Sequence, residues 1–218
     1  LIEQVEGSLR RLNVERIDVF QLHCWAPDGL RNLEWFETLS ALKDAGKIDR
    51  IGVSIRDYRP ADGVDLAKSG LVDSIQVIYN IFEQEPNKAL FAAAAASETA
   101  IVARVALDSG ALSGAWTPET YARWGEGSVL HTFYRGERFA ETLDHVERLK
   151  AVTGPHYANL AEAAVRFVLD APEVSTAILG MSTARRIHEN LSYSDGVRLP
   201  DGLRAQLAEH EWRRNYYV

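Results

Sequence analysis

Ile17-Asp18-Val19-Phe20-Gln21-Leu22-His23-Cys24-Trp25-Ala26-Pro27-Asp28-Gly29 is the stretch on which the fold turns. Residues 17–22 read as a buried strand, an imidazole follows, and the chain then turns at Pro27-Asp28-Gly29. Side chains alternate along a strand, so Ile17, Val19, Gln21 and His23 share one face. Upstream, residues 1–12 read as a helix with Ile2, Val5, Leu9 and Leu12 in one stripe. Downstream, residues 33–46 are amphipathic through Trp35, Phe36, Leu39 and Leu42, ending near Gly46.

That beat of helix and short apolar strand recurs along the chain. Strands are expected at 51–54, 74–77, 101–103 and 176–179. Helices are expected near 60–68, 86–96, 138–152, 157–170, 183–192 and 201–213, and residues 111–137 read as a long loop. Short, uniformly apolar strands alternating with helices imply parallel βαβ units with both sheet faces covered. A doubly wound open sheet and a (β/α)8 barrel both satisfy this. No Gly-x-Gly-x-x-Gly follows any strand, which weakens the first. The expectation is a single α/β domain over residues 1–218, a TIM barrel lacking roughly its first three βα units. At about 30 residues per unit, that gap is roughly 90 residues. A chain that begins inside a helix is read accordingly as part of a longer enzyme.

Bulk properties narrow the function classes. Of 218 residues, 46% are hydrophobic and 25% charged, an ordinary globular composition. A net charge of −7 argues against nucleic acid or an anionic membrane as partner. With one cysteine, no internal disulfide and no cysteine-built metal site is expected, and a cytoplasmic location is the default. No metal ligand set is expected from any other motif.

In parallel α/β folds ligands bind at the carboxyl ends of the strands. Those ends read His23, Ser54, Gln76 and Arg104, with Gly180 after the last strand. Each polar residue has an ordinary explanation as a turn cap or a partner for loop carbonyls. Taken together, they converge on one mouth if the sheet closes.

These residues also carry a resemblance. Glu6-Gly7-Ser8-Leu9-Arg10-Arg11-Leu12-Asn13-Val14-Glu15-Arg16-Ile17 through His23 resembles the helix–strand signature of the aldo-keto reductase family, which ends in that family's active-site histidine. Ala45-Gly46-Lys47-Ile48-Asp49-Arg50-Ile51-Gly52-Val53-Ser54 resembles its GKIRxIGxSN segment. Ile178-Leu179-Gly180-Met181-Ser182-Thr183-Ala184-Arg185-Arg186-Ile187-His188-Glu189-Asn190 resembles its cofactor segment IPGxxxxxxxxEN. The resemblance covers the C-terminal two-thirds of the family's barrel. It implies reduction of an aldehyde or ketone with NADPH, with NADH as the alternative, and a small-molecule carbonyl as the partner.

The resemblance also distributes roles. His23 matches the histidine that orients and polarises the carbonyl. Ser54 and Gln76 match residues that hold the nicotinamide carboxamide. Leu107, Ser109 and Gly110 fall in the loop over the pyrophosphate. Gly180, Ser182, Arg186, Glu189 and Asn190 fall on the segment for the adenosine and its 2′-phosphate. Independently, Ser182 or Thr183 suits a helix cap, with arginines in the following turn, a combination suited to an anion.

The chain departs from the family at informative positions. The usual Ser-Asn pair is Ser54-Ile55, and the aromatic-Ser pair that stacks on nicotinamide is Arg104-Val105. A guanidinium plane can stack on a flat ring and would favour its neutral, reduced form; the ordinary alternative is that Arg104 pairs with Asp108 or Asp57. The family's proton-donor tyrosine with its aspartate and lysine matches nothing here: Tyr79, Tyr121, Tyr134, Tyr216 and Tyr217 all lie outside that motif. Carbonyl reduction by this chain alone is therefore expected to be negligible. A non-catalytic barrel that binds nicotinamide cofactor is the alternative function, and a sugar-phosphate isomerase or aldolase is a weaker one. Trp25, and with it Trp116, Trp124, Phe133 and Tyr134, is a candidate wall of the substrate pocket, packing being the ordinary role of such loop aromatics.

Overall fold

The computed structural model describes residues 1–216; Tyr217, one of the tyrosines weighed above, and Val218 lie outside the described residues. Among the described residues five strands occur: β1 Ile17–Trp25, β2 Ile48–Ile55, β3 Ser74–Ile78, β4 Ala100–Arg104 and β5 Val174–Ala177. They are parallel and lie in one sheet in the order β1-β2-β3-β4-β5. The α-helices are α1 Ile2–Leu12, α2 Glu34–Asp44, α3 Val64–Ser69, α4 Leu90–Ala96, α5 Val129–Phe133, α6 Arg138–Thr153, α7 Leu160–Leu169, α8 Ala184–Ser192 and α9 Leu203–Ala208. Each strand is followed by a helix.

The differences from expectation lie mostly at element ends. The helix expected from 60 begins as a 3-10 turn at Pro60–Gly63, and the one expected from 86 begins with a 3-10 turn at Glu85–Asn87; proline lacks a donor and favours such openings. β5 comes two residues earlier than read, and the helix expected over 201–213 is confined to Leu203–Ala208. The stretch 111–137 is not all loop, since it carries α5 and a 3-10 turn at Tyr121–Arg123. The apolar stripe of α1 is buried only at its centre, by Val5 and Leu9, while Ile2 and Leu12 are exposed.

The chain divides into two compact units: Leu1–Val77 with Pro86–Val102, and Ile78–Glu85 with Ala103–Val218. In the first, β1 pairs with β2 and β2 with β3, both parallel, and the Ala100 N–H donates to the Asp73 carbonyl to start β4. Ile51, Val53, Ile55, Leu66 and Ile75 fill its core. Asp73 ties the strand starts together: its carboxylate accepts the Ile51 N–H at 2.8 Å and pairs with Lys43 at 3.2 Å.

In the second unit the Ile178 N–H donates to the Ala103 carbonyl at 2.8 Å, and Tyr79 stacks on Phe167 at 5.6 Å. Buried Arg166 on α7 pairs with Glu162 and with both oxygens of Asp195. Asp170, just past α7, pairs with Arg204 at 2.7 Å and Arg198 at 2.6 Å. These ion pairs anchor the stretch from 195 to α9 against α7, where an unpaired buried charge would be costly.

Candidate active site

In the first unit, strand register sets the site. His23 stands opposite Ser54, and Ser54 opposite Gln76. Directly before this row, Gln21 stands opposite Gly52 and Gly52 opposite Ser74. Residues two apart share a face, so the two rows form successive polar layers. Gly52 makes that layering possible: a Cβ there would come within 2.6 Å of the Ser74 Oγ and 2.7 Å of the Gln21 Cγ. Gln76 Nε2 donates to Gln21 Oε1 at 2.6 Å, which fixes the orientation of both amides.

Ser54 is 2% exposed, and among the described residues its Oγ has no hydrogen-bond partner. A buried hydroxyl without a partner calls for an explanation, and an amide-bearing ligand at this row would supply one. His23 is exposed and lies inside β1, with a register shift immediately after it where Cys24 takes φ 59°. Such a bulge re-aims the following residue. Here that residue is Trp25, whose ring is buried against Gly29 of the Pro27–Leu30 turn.

In the second unit, the loop after β4 adopts a conformation that L-residues avoid. Val105, Asp108 and Ser109 have φ of 57°, 47° and 56°, and Gly110 has 109°. A β-branched residue there is a genuine outlier, so surroundings must hold it. Asn80 Nδ2 donates to the Val105 carbonyl at 2.9 Å, and the Tyr134 hydroxyl donates to the Asp108 carbonyl at 3.1 Å. Leu107 accepts from the Gly110 and Leu112 amides at 2.8 and 3.1 Å. The Arg104 carbonyl receives the Tyr79 N–H at 3.2 Å. The carboxylate of Asp108 is paired with Arg214.

Beyond β5, Thr183 caps α8 by accepting the Arg186 N–H at 3.2 Å. Arg186 Nη1 donates to the Ser182 hydroxyl at 2.9 Å, whereas Arg185 pairs with Glu189 at 2.8 Å. Ser182 is neutral, so the charge of exposed Arg186 remains available to an anion beside a helix start. Glu189 is engaged by Arg185, and Asn190 is buried with its Nδ2 3.4 Å from the Gly180 carbonyl. Asn190 thus holds the Gly180 turn from behind. Among the described residues, a hydroxyl without a partner in one unit and an arginine without a carboxylate partner at a capped helix in the other suit an amide and a phosphate respectively.

Trp116, Trp124 and Tyr134 pack on one another, and the two tryptophans also pack on Phe139 of α6, with ring separations of 4.8 to 5.9 Å. The sequence reading missed Gln21, although strand parity placed it on the His23 face. Asn80 and Arg214 carry no local pattern that would have marked them, and Asp108, expected only as a possible partner of Arg104, is paired with Arg214.

The Aldo/keto reductase family model matches residues 1–211. The chain is 33% identical to "Aldo-keto reductase YhdN" of Bacillus subtilis over 83% of its own length and 54% of that protein's. It is 27% identical to the "D-threo-aldose 1-dehydrogenase" of a Pseudomonas species over 94% of its length and 60% of that protein's. Among solved structures, the holo form of the aldo-keto reductase AKR11C1 from Bacillus halodurans superposes with a TM-score of 0.75 at 27% identity, covering 96% of this chain and 66% of that one. The chain therefore spans between half and two thirds of the length of these relatives.

Proposed function

Because the chain belongs to the aldo/keto reductase family, we propose that it serves an NADP-dependent oxidoreductase that reduces an aldehyde or ketone to the alcohol. The observation that carries this reading is the in-register row His23–Ser54–Gln76, with a buried, unpartnered hydroxyl at its centre. When bound, the nicotinamide would supply the hydride to the carbonyl carbon, and an acid of the catalytically competent protein would supply the proton to its oxygen. Ser54 and Gln76 hold its carboxamide. His23 donates a hydrogen bond to the carbonyl oxygen and stabilises the charge that develops there. In the second unit Arg186 and the capped start of α8 receive a phosphate of the adenosine end, while Leu107, Ser109 and Gly110 lie against the pyrophosphate. Arg186 favours NADPH over NADH, since only the former carries a 2′-phosphate. Trp25 borders the substrate.

Relatives named "D-threo-aldose 1-dehydrogenase" and "NADH-specific methylglyoxal reductase" support small carbonyl compounds and their alcohols as the substrate class. The reading is tested by titrating NADPH and NADH into the protein while following tryptophan fluorescence. Saturable quenching, tighter for NADPH, is expected; no binding of either nucleotide would sink the proposal. In the catalytically competent protein, His23→Ala is expected to lower kcat/KM by about 10²–10³ with NADPH affinity retained.

A further inference from the structure

The chain's last described segment is tied to the loop after β4. Past α9, the Trp212 N–H donates to the Phe82 carbonyl at 2.9 Å, and the Trp212 ring stacks on His145 of α6 at 3.8 Å and 6°. Two residues on, the Arg214 guanidinium lies over three rings: Trp212 at 4.2 Å, Phe82 at 4.8 Å and Tyr216 at 5.0 Å. Its far end meets the Asp108 carboxylate, with side-chain exposures of 8% and 5%. This ion pair joins residues 106 apart in sequence, between a C-terminal strap and the most strained loop of the unit.

Strain of that kind persists only where the surroundings over-determine it, and it gathers at ligand clamps. Asp108 has φ 47° and Ser109 φ 56°, so left to itself this turn would relax to ordinary backbone. Asn80 and Tyr134 fix two of its carbonyls, but the side chain of Asp108 is held by Arg214. The pairing also neutralises a buried carboxylate that would otherwise repel an approaching phosphate. Packing against three rings restrains the guanidinium, and aromatic faces attract it.

We infer that Arg214 is a positioning residue: through Asp108 it holds the loop 105–113 in the shape that receives the phosphates of a dinucleotide. The inference rests on the dinucleotide reading given above. Its chemistry is electrostatic and steric, with no bond made or broken.

The test uses Arg214→Ala and Arg214→Lys in the full chain, with two readouts. The first is amide hydrogen exchange without ligand. In Arg214→Ala the amides of Asp108, Gly110 and Leu112 should exchange at least about tenfold faster, while Val53 in β2 exchanges as in the parent. The second is NADPH affinity by fluorescence titration. Misplacing a binding group by small distances costs up to about a hundredfold, so Arg214→Ala should bind about ten- to a hundredfold more weakly, with Arg214→Lys in between on both readouts. Parent-like loop exchange in Arg214→Ala overturns the inference, as does accelerated loop exchange with unchanged affinity. Should Arg214→Ala fail to fold, Arg214→Lys decides by the same two measurements. If the parent chain does not bind NADPH, the cofactor reading falls, and loop exchange alone then shows whether the pin exists.

Discussion

Arg186 and Arg185 are sequence neighbours with opposite fates. Arg185 is neutralised by Glu189 one turn on, while the side-chain partner of Arg186 is the uncharged Ser182. Arg186→Ala should therefore weaken NADPH binding roughly ten- to a hundredfold, since a charge-assisted contact contributes about 1.5–3 kcal/mol, and should change NADH binding far less. Equal losses would show that Arg186 does not read the 2′-phosphate. His145 offers a pH test. Burial first, then Arg148, Arg214 and His210, push its pKa down from 6.5 to about 4, against the weaker pull of Asp144. The folded state thus binds this proton less readily than the unfolded chain. Stability from neutral His145 is full above about pH 6.5 and is lost as pH falls towards about 4. Burial and Arg148 lower the pKa of His210 as well, so it acts with the same sign. Urea unfolding should show the parent losing more stability between about pH 7 and about pH 4 than His145→Gln does; parallel losses would remove His145 from the account.

At the scale of elements, β2 decides how tightly the first unit's polar layers can be built. Its one glycine, Gly52, sits where any side chain would strike Gln21 and Ser74. Gly52→Ala should destabilise by about 1–3 kcal/mol through overpacking, visible as a lower denaturation midpoint, and should disturb the Gln21–Gln76 hydrogen bond. A midpoint equal to the parent's would mean that the layer has slack the distances do not show. In α8 the Thr183 cap is a separate test. Thr183→Ala should cost about 1 kcal/mol of helix stability and weaken phosphate binding at the same helix start. Loss of stability with unchanged NADPH affinity would separate the cap from the anion site.

Across the whole molecule, β2 and β3 are buried along most of their lengths, while β1 and β5, at the two ends of the strand order, are half exposed, with Val19 43% exposed on β1. Amide exchange should accordingly be slowest in β2 and β3 and faster in β1 and β5; uniform protection across all strands would contradict this ordering. No helix among the described residues is long and apolar enough to cross a membrane. Much of this architecture was legible in the residues. Strand periodicity and parity gave five strands, their parallel order and the common face of Gln21 and His23, because side-chain alternation is a local property. The Gly180–Asn190 segment was likewise readable, since a helix cap and the arginines behind it lie within one turn. What local pattern could not carry was pairing across distance. Gln76 meets Gln21 only because three strands come into register. The loop after β4 bends through positive φ at valine and serine, residues with no intrinsic preference for it, as well as at aspartate, because Asn80, Tyr134 and Arg214 converge on it from elsewhere in the chain. A contact of that separation leaves no periodic trace in sequence; it exists once packing brings the groups together, and the packing energy is what keeps the strained backbone in place.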